Sequence, residues 1–152
     1  MRYHVLVTVT LDTNVLYQAL YSASGASHAV LWRIRSGEIR LALSIPVFEE
    51  YQDVLHRQKT KRELGLSSDD IQNVLDFIVL IGMETSTSYL WRPNLKDEDD
   101  NIFVELAVAS GSEYLITRNT RDYTIGNELR FDSFQVVTPN EFMIEWRKTH
   151  HE

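Results

Sequence analysis

The sequence predicts an α/β fold in which a mainly parallel sheet is covered by helices on both faces. Four short apolar runs rich in β-branched and aliphatic residues, Val5 to Leu11, Ile39 to Leu43, Tyr114 to Thr117 and Phe134 to Val137, read as buried strands. Longer stretches with helical apolar spacing lie between them, and strands that alternate with helices join as parallel neighbours through crossovers. No internal repeat, low-complexity tract or linker divides the 152 residues. Residues 1–149 are therefore expected to form one domain, with 150–152 a frayed C-terminus.

Val5 to Leu11 ends at Asp12, and a helix follows from about Val15. Ala29, Val30, Leu31 and Ile34 mark a second helical stretch that closes near Ser36-Gly37. After the strand at 39–43, Val47, Tyr51, Val54 and Leu55 show the i, i+4, i+7, i+8 spacing of an amphipathic helix that starts behind Ser44 and Pro46 and runs to about Arg57. Ser67 and Asp70 form a capping-box pattern ahead of Ile71, Val74, Leu75, Ile78 and Val79, which predicts a helix to about Ile81. Thr85 to Ser88 reads as a loop or an edge strand. Asp100 opens a helical face of Ile102, Phe103, Leu106 and Ala107 that stops at Ser110-Gly111. Thr138-Pro139-Asn140-Glu141 combines an N-cap, a first-turn proline and a capping-box glutamate before a terminal helix.

Composition narrows the function. Hydrophobic residues make up 43% and charged residues 24%, values of a globular chain rather than a disordered one. The absence of cysteine removes disulfides, thiol nucleophiles and thiolate zinc sites, and fits a reducing compartment. No apolar run approaches the ~20 residues that cross a bilayer, and Met1-Arg2-Tyr3-His4 carries no signal-peptide pattern, so the expected location is cytoplasmic with no membrane partner. A net charge of −7 opposes indiscriminate nucleic-acid binding. The five histidines show no zinc spacing, no serine sits in a nucleophile turn, and glycine-rich phosphate loops are absent.

The most informative residue is Asp12, a carboxylate placed where a buried strand gives way to a helix. Open α/β sheets bind ligands in the crevice at that end of their strands. Two later acidic features can join it: Glu50, in Pro46-Val47-Phe48-Glu49-Glu50-Tyr51, and the run Asp97-Glu98-Asp99-Asp100. Each has a plainer reading alone, Asp12 as a helix cap, Glu50 as a solvent-facing residue, the acidic run as a helix start favoured by the macrodipole. Converging without a cation, such carboxylates repel and raise one another's pKa values. Together they suggest a divalent-metal site.

The order of the pieces, Leu-Asp-Thr-Asn-Val at 11–15, Glu-Tyr-x-x-Val-Leu at 50–55, Asp-Asp-Asn-Ile-Phe-Val-Glu-Leu-Ala at 99–107 and Tyr-Leu-Ile-Thr at 114–117, resembles the PIN-domain family of metal-dependent ribonucleases, which includes VapC-like toxins of toxin–antitoxin pairs. The resemblance spans nearly the whole chain. It implies a three-layer α/β/α fold and an Mg²⁺- or Mn²⁺-dependent endoribonuclease, the toxin of such a pair, whose catalytic residues are Asp12, Glu50 and Asp100. Asp97 would be an auxiliary metal ligand. Family members often carry an aspartate two residues after the final threonine, where this chain has Asn119, so either Asp122 supplies the charge or a second metal is held weakly. Asn14 and Thr117 would orient ligands or water. The resemblance further implies a homodimer and an antitoxin partner, whose trace would be an apolar groove near the helix from Val47 to Leu55.

The chemistry suits those residue types. Phosphodiester hydrolysis needs an activated water and charge relief on the phosphate, which two metals about 3.5 to 4 Å apart supply. Mg²⁺ takes oxygen ligands and keeps several waters. Arg118 and Arg121 flank the site and would contact substrate phosphate with Asn119, while His56 to Arg62 is a cationic cluster for the RNA backbone or for a helix C-terminus. Trp32 and Trp146 fall at apolar helical positions, as core or interface packing. A catalytically weak RNA-binding or protein-interaction module on the same fold is the alternative, marked by Asn119. A receiver-like phosphoacceptor is disfavoured, because Arg118 stands where that chemistry wants a lysine. RNA and DNA substrates are not separated by these residues.

Overall fold

The strand at the centre of the molecule is β1 (Val7–Leu11), whose residues Thr8 to Leu11 are all buried. Successive strand residues point to opposite faces, so an unbroken buried run requires cover on both sides. The computed structural model, which describes residues 6–87, 101–123 and 133–150, provides it. Among the described residues five strands, β1, β2 (Ile39–Leu43), β3 (Met83–Glu84), β4 (Tyr114–Ile116) and β5 (Gln135–Val137), lie in the order β3-β2-β1-β4-β5 and every pair is parallel. Val9 of β1 is opposite Leu41 of β2 on one side and Tyr114 of β4 on the other.

The helices among the described residues are α1 (Thr13–Tyr21), α2 (Ala26–Arg35), α3 (Ile45–Leu55), α4 (Gln58–Leu64), α5 (Ser68–Ile81), α6 (Asn101–Ser110) and α7 (Pro139–Thr149). α2 and α7 pack on each other and reach β2 and β4, while α6 lies across β1, β2 and β4. This is the three-layer α/β/α architecture that the alternating pattern predicts. One core runs through it, from Val9 and Leu11 to Val30, Leu41, Leu75, Leu106, Leu115 and Phe142. None of the described helices is long and apolar enough to cross a membrane.

Local signals account for most boundaries. Ser44 caps α3 by accepting from Val47 N–H at 3.3 Å, and both capping boxes, Ser67 with Asp70 and Thr138 with Glu141, are closed in both directions. Elsewhere the chain departs from the sequence pattern. The amphipathic helix ends at Leu55 rather than Arg57, and the cationic stretch forms its own helix, α4, which Gly65 terminates in the left-handed conformation. A single periodic face cannot reveal such a break, because buried Thr60 keeps the apolar phase only loosely.

The outer strand is Met83–Glu84, ahead of the expected stretch at Thr85 to Ser88. Thr85 adds one ladder bond to the Leu43 carbonyl, 2.7 Å, and Thr85 to Thr87 are otherwise irregular; Ser88 lies outside the described residues. His150, expected to fray, stacks on Trp146 with ring centroids 4.2 Å apart.

Candidate active site

Strand order decides where a ligand sits. From β1 the chain moves outward through β2 to β3, then returns to place β4 on the other side of β1, so the order reverses between β1 and β4. The crevice beyond the carboxyl ends of those two strands is the topological switch point of an open α/β sheet. Asp12 follows β1 and Thr117 follows β4, and the Asp12 N–H donates to the Ile116 carbonyl at 2.9 Å, clamping the two ends together.

Asp12 stands at the N-cap position of α1 yet its side chain makes no capping hydrogen bond. The carboxylate turns instead into a set of donors. Its Oδ2 accepts from Thr117 Oγ1 at 2.8 Å, from the Tyr123 hydroxyl at 2.9 Å and from Asn14 Nδ2 at 3.4 Å. Among the described residues no side-chain donor reaches Oδ1. Burial, with only 6% of the residue exposed, pushes the carboxyl above its ordinary value of 3.8, and the hydroxyls of Thr117 and Tyr123 and the amides of Asn14 and Thr13 offset part of the shift.

A relay of side chains surrounds this carboxylate. Asn14 Nδ2 also donates to Thr117 Oγ1 at 3.3 Å, and Asn14 Oδ1 accepts from the Arg118 N–H at 3.0 Å. Thr117 Oγ1 accepts from the Asn119 N–H at 3.2 Å, and Asn119 Nδ2 donates to Asp122 Oδ1 at 3.1 Å. The Arg118 guanidinium is held by Gln18 Oε1 at 2.9 Å. Thus Asp12, Asn14, Thr117, Arg118, Asn119 and Asp122 form one connected cluster. Asp122 is joined to Asn119 at its rim, and Arg121 is exposed in the same short 3-10 turn, Thr120–Tyr123.

Glu50 is half-buried on α3, and its neighbour Tyr51 fixes that helix to the site by donating a 2.6 Å hydrogen bond to the Leu11 carbonyl. The Tyr51 ring lies 6.4 Å from that of Phe103 in α6, which brings the start of α6 to the same region. Asp97 and Asp100 lie outside the described residues.

The sequence reading missed Tyr51 and Tyr123 as parts of the site. Tyr51 fits its helix's apolar face, so nothing in the pattern separates a hydroxyl that anchors a strand end from one that is merely buried. Tyr123 follows the polar string Thr117 to Asp122 without any periodicity, and an aromatic closing a polar turn was the available signal.

The model for the PIN domain matches residues 8–121, from within β1 to the start of the 3-10 turn, and so includes both Asp12 and Thr117 at the switch-point crevice. The chain belongs to the PIN-domain family. The chain is also similar to a solved structure, that of VapBC2 from Rickettsia felis bound to a DNA fragment from their promoter. The TM-score is 0.54 at 16% identity, covering 87% of this chain and 98% of that one, so the likeness is one of fold. No curated protein matches the sequence. As a metal site, the described part of this PIN domain contributes a suitable first donor: a buried carboxylate that is disfavoured as a lone anion and offers hard oxygen to a cation. Among the described residues no three His, Cys, Asp or Glu side chains meet as a metal-binding group, so Asp12 alone does not complete one.

Proposed function

We propose that this PIN domain is an Mg²⁺- or Mn²⁺-dependent endoribonuclease acting as the toxin of a toxin–antitoxin pair. The observation that carries the reading is the Asp12 carboxylate, buried at the switch point with Oδ2 fixed by two hydroxyls. Asp12 would anchor the metal, with Glu50 and Asp100 completing its shell, Asp97 and Asp122 as auxiliary oxygen donors, and Asn14 and Thr117 holding Asp12 in register. When bound, the metal would supply charge relief and an activated water. Arg118, Arg121 and Asn119 would meet the phosphate backbone at the rim.

A fluorogenic single-stranded RNA incubated with the protein in Mn²⁺, Mg²⁺ or EDTA, beside Asp12→Asn, tests the proposal. Metal-dependent cleavage that disappears in the variant is expected. Equal cleavage by both proteins, or none by a folded wild type loaded with metal, would overturn it in favour of a binding module.

An antitoxin segment has two apolar grooves to choose between. One of about 340 Å³ adjoins α3 at Ile45 and Phe48. The larger, about 500 Å³, lies between α2 and α5 and is lined by Leu31, Trp32, Val74 and Phe77, with Trp32 half-exposed at its edge. The larger groove is the proposed seat. Photo-crosslinking to a coexpressed antitoxin separates the two: adducts at Trp32 or Phe77 support this seat, and adducts at Ile45 or Phe48 move the partner to α3.

A further inference from the structure

Next to the Asp12 cluster is a second cleft, about 310 Å³ in volume, bordered by Gln18, Gly25, Ser27, Arg118, Thr138 and Asn140. We propose that it is a subsite for a backbone phosphate of single-stranded RNA, neighbouring the phosphate that is cleaved; the RNA part of this inference rests on the ribonuclease reading above.

Four features give the cleft its chemistry. The first is the start of α2. Its N-cap is Gly25, which has no side chain to cap with, and its first turn holds no acidic residue. The first helical hydrogen bond runs from Ala29 N–H to the Gly25 carbonyl, so the N–H groups of Ala26, Ser27 and His28 have no acceptor within the helix. Such an end attracts an anion.

The second feature is Ser27 itself. It is only 4% exposed, it borders the cleft, and its hydroxyl has no hydrogen-bond partner among the described residues. The residue is packed in place while its hydroxyl faces the cleft, so it can donate to a bound anion without breaking a bond within the protein. The third is Arg118. Its guanidinium is oriented by neutral Gln18 and forms no ion pair among the described residues, so its charge remains available on a chain of net charge −7. The fourth is Asn140, which also borders the cleft. α7 brings little more than this, because Pro139 has no N–H and the Thr138–Glu141 capping box already occupies the Thr138 and Glu141 amides.

Placement ties the cleft to the reaction. Arg118 bounds it with a side chain while its N–H donates to Asn14, whose amide reaches Thr117 and Asp12. Gln18 lies one helical turn beyond Asn14 on α1. A polynucleotide with one phosphate at Asp12 would therefore lay an adjacent phosphate across Arg118 toward the α2 N-terminus. The sequence pointed to Arg118 alone; α2 and Ser27 turn a single cation into a concave site.

Fluorescence anisotropy of a labelled single-stranded oligoribonucleotide in EDTA tests the subsite without catalysis. Ser27→Ala should weaken binding about 3- to 10-fold, the worth of one hydrogen bond. Arg118→Gln should lower the slope of log affinity against log salt by roughly 0.7, one phosphate contact on a single strand. Ser27→Asp should abolish binding because its carboxylate takes the phosphate's place at the helix N-terminus, and the weaker binding of Ser27→Ala should come with no change in melting temperature. A purely structural Ser27 would instead move melting temperature and affinity together. Wild-type affinity in all three variants overturns the subsite. In an NMR titration, inorganic phosphate that shifts the Ser27 amide while the oligoribonucleotide does not would overturn the RNA assignment. Cleavage is read separately: Ser27-dependent RNA binding by a protein that never cleaves supports the subsite and defeats the nuclease reading.

Discussion

Tyr123 donates a 2.9 Å hydrogen bond to Oδ2 of Asp12 across 111 residues of sequence, and both groups are buried. Thr117 donates to the same oxygen at 2.8 Å. Two hydroxyls on one oxygen hold the carboxylate in place, and among the described residues no side-chain donor is on Oδ1. A carboxylate held this way meets a metal with little reorganisation, the role that partners of metal ligands serve generally.

Tyr123→Phe should therefore act on the site through Asp12. Loss of the hydroxyl is expected to lower metal-dependent cleavage or metal affinity about 10- to 100-fold, and to cost about 1–3 kcal/mol of stability because a buried acceptor loses a donor. Titrating Mn²⁺ into cleavage assays of both proteins, with urea unfolding alongside, checks both effects. A stability loss with unaltered metal dependence would make Tyr123 a packing residue only.

Metal-free protein should be destabilised by Asp12 at neutral pH. Burial holds the folded-state pKa above the ordinary 3.8, so between the two values the native state keeps a proton that the unfolded chain has lost. Stability owed to this group is thus fully present below the ordinary pKa and is lost as pH rises through the raised one. In EDTA at about pH 7, Asp12→Asn should resist urea better than wild type, by on the order of 1 kcal/mol, and the advantage should vanish near pH 4. Wild type that is the more stable protein at neutral pH without metal would contradict this.

The fold was largely legible because its signals are local. Capping boxes at Ser67 and Thr138, the Ser44 cap and unbroken apolar runs at β1 and β4 are written in adjacent residues. Asp12, Asn14 and Thr117 were legible for the same reason, since each borders a strand end that the sequence marks. What escaped depends on distance in sequence. Tyr51 reaches the Leu11 carbonyl across 40 residues, and the α2 N-terminus comes to Arg118 through the packing of α2 on α1 and α7. No periodicity encodes such meetings.

Gly82 shows how tightly the edge of the sheet is built. A Cβ there would stand 2.8 Å from the Ile78 carbonyl oxygen and 2.9 Å from Cδ2 of Leu43, closer than atoms can pack. Gly82→Ala should cost about 1–3 kcal/mol through overpacking at the α5–β3 junction. Chemical denaturation measures it, and a loss under about 0.5 kcal/mol, the range of neutral surface changes, would show that Leu43 yields easily.

Asn119 marks where this chain departs from the acidic pattern, and its amide now neutralises no charge while donating to Asp122 at 3.1 Å. Asn119→Asp removes that donor and sets two carboxylates against each other at the rim, an arrangement that repels in water but gives a second cation two oxygen ligands. The variant should unfold at lower urea than wild type in EDTA, by up to about 1 kcal/mol because the pair is solvent-screened. Mn²⁺ should restore the loss, since a ligand that binds only the native state stabilises it by mass action. Cleavage should rise with the same metal dependence if a weakly held second ion limits turnover in the wild type. Lower stability that metal does not restore would place Asn119 in turn architecture, and restored stability without faster cleavage would leave the limiting step at Asp12.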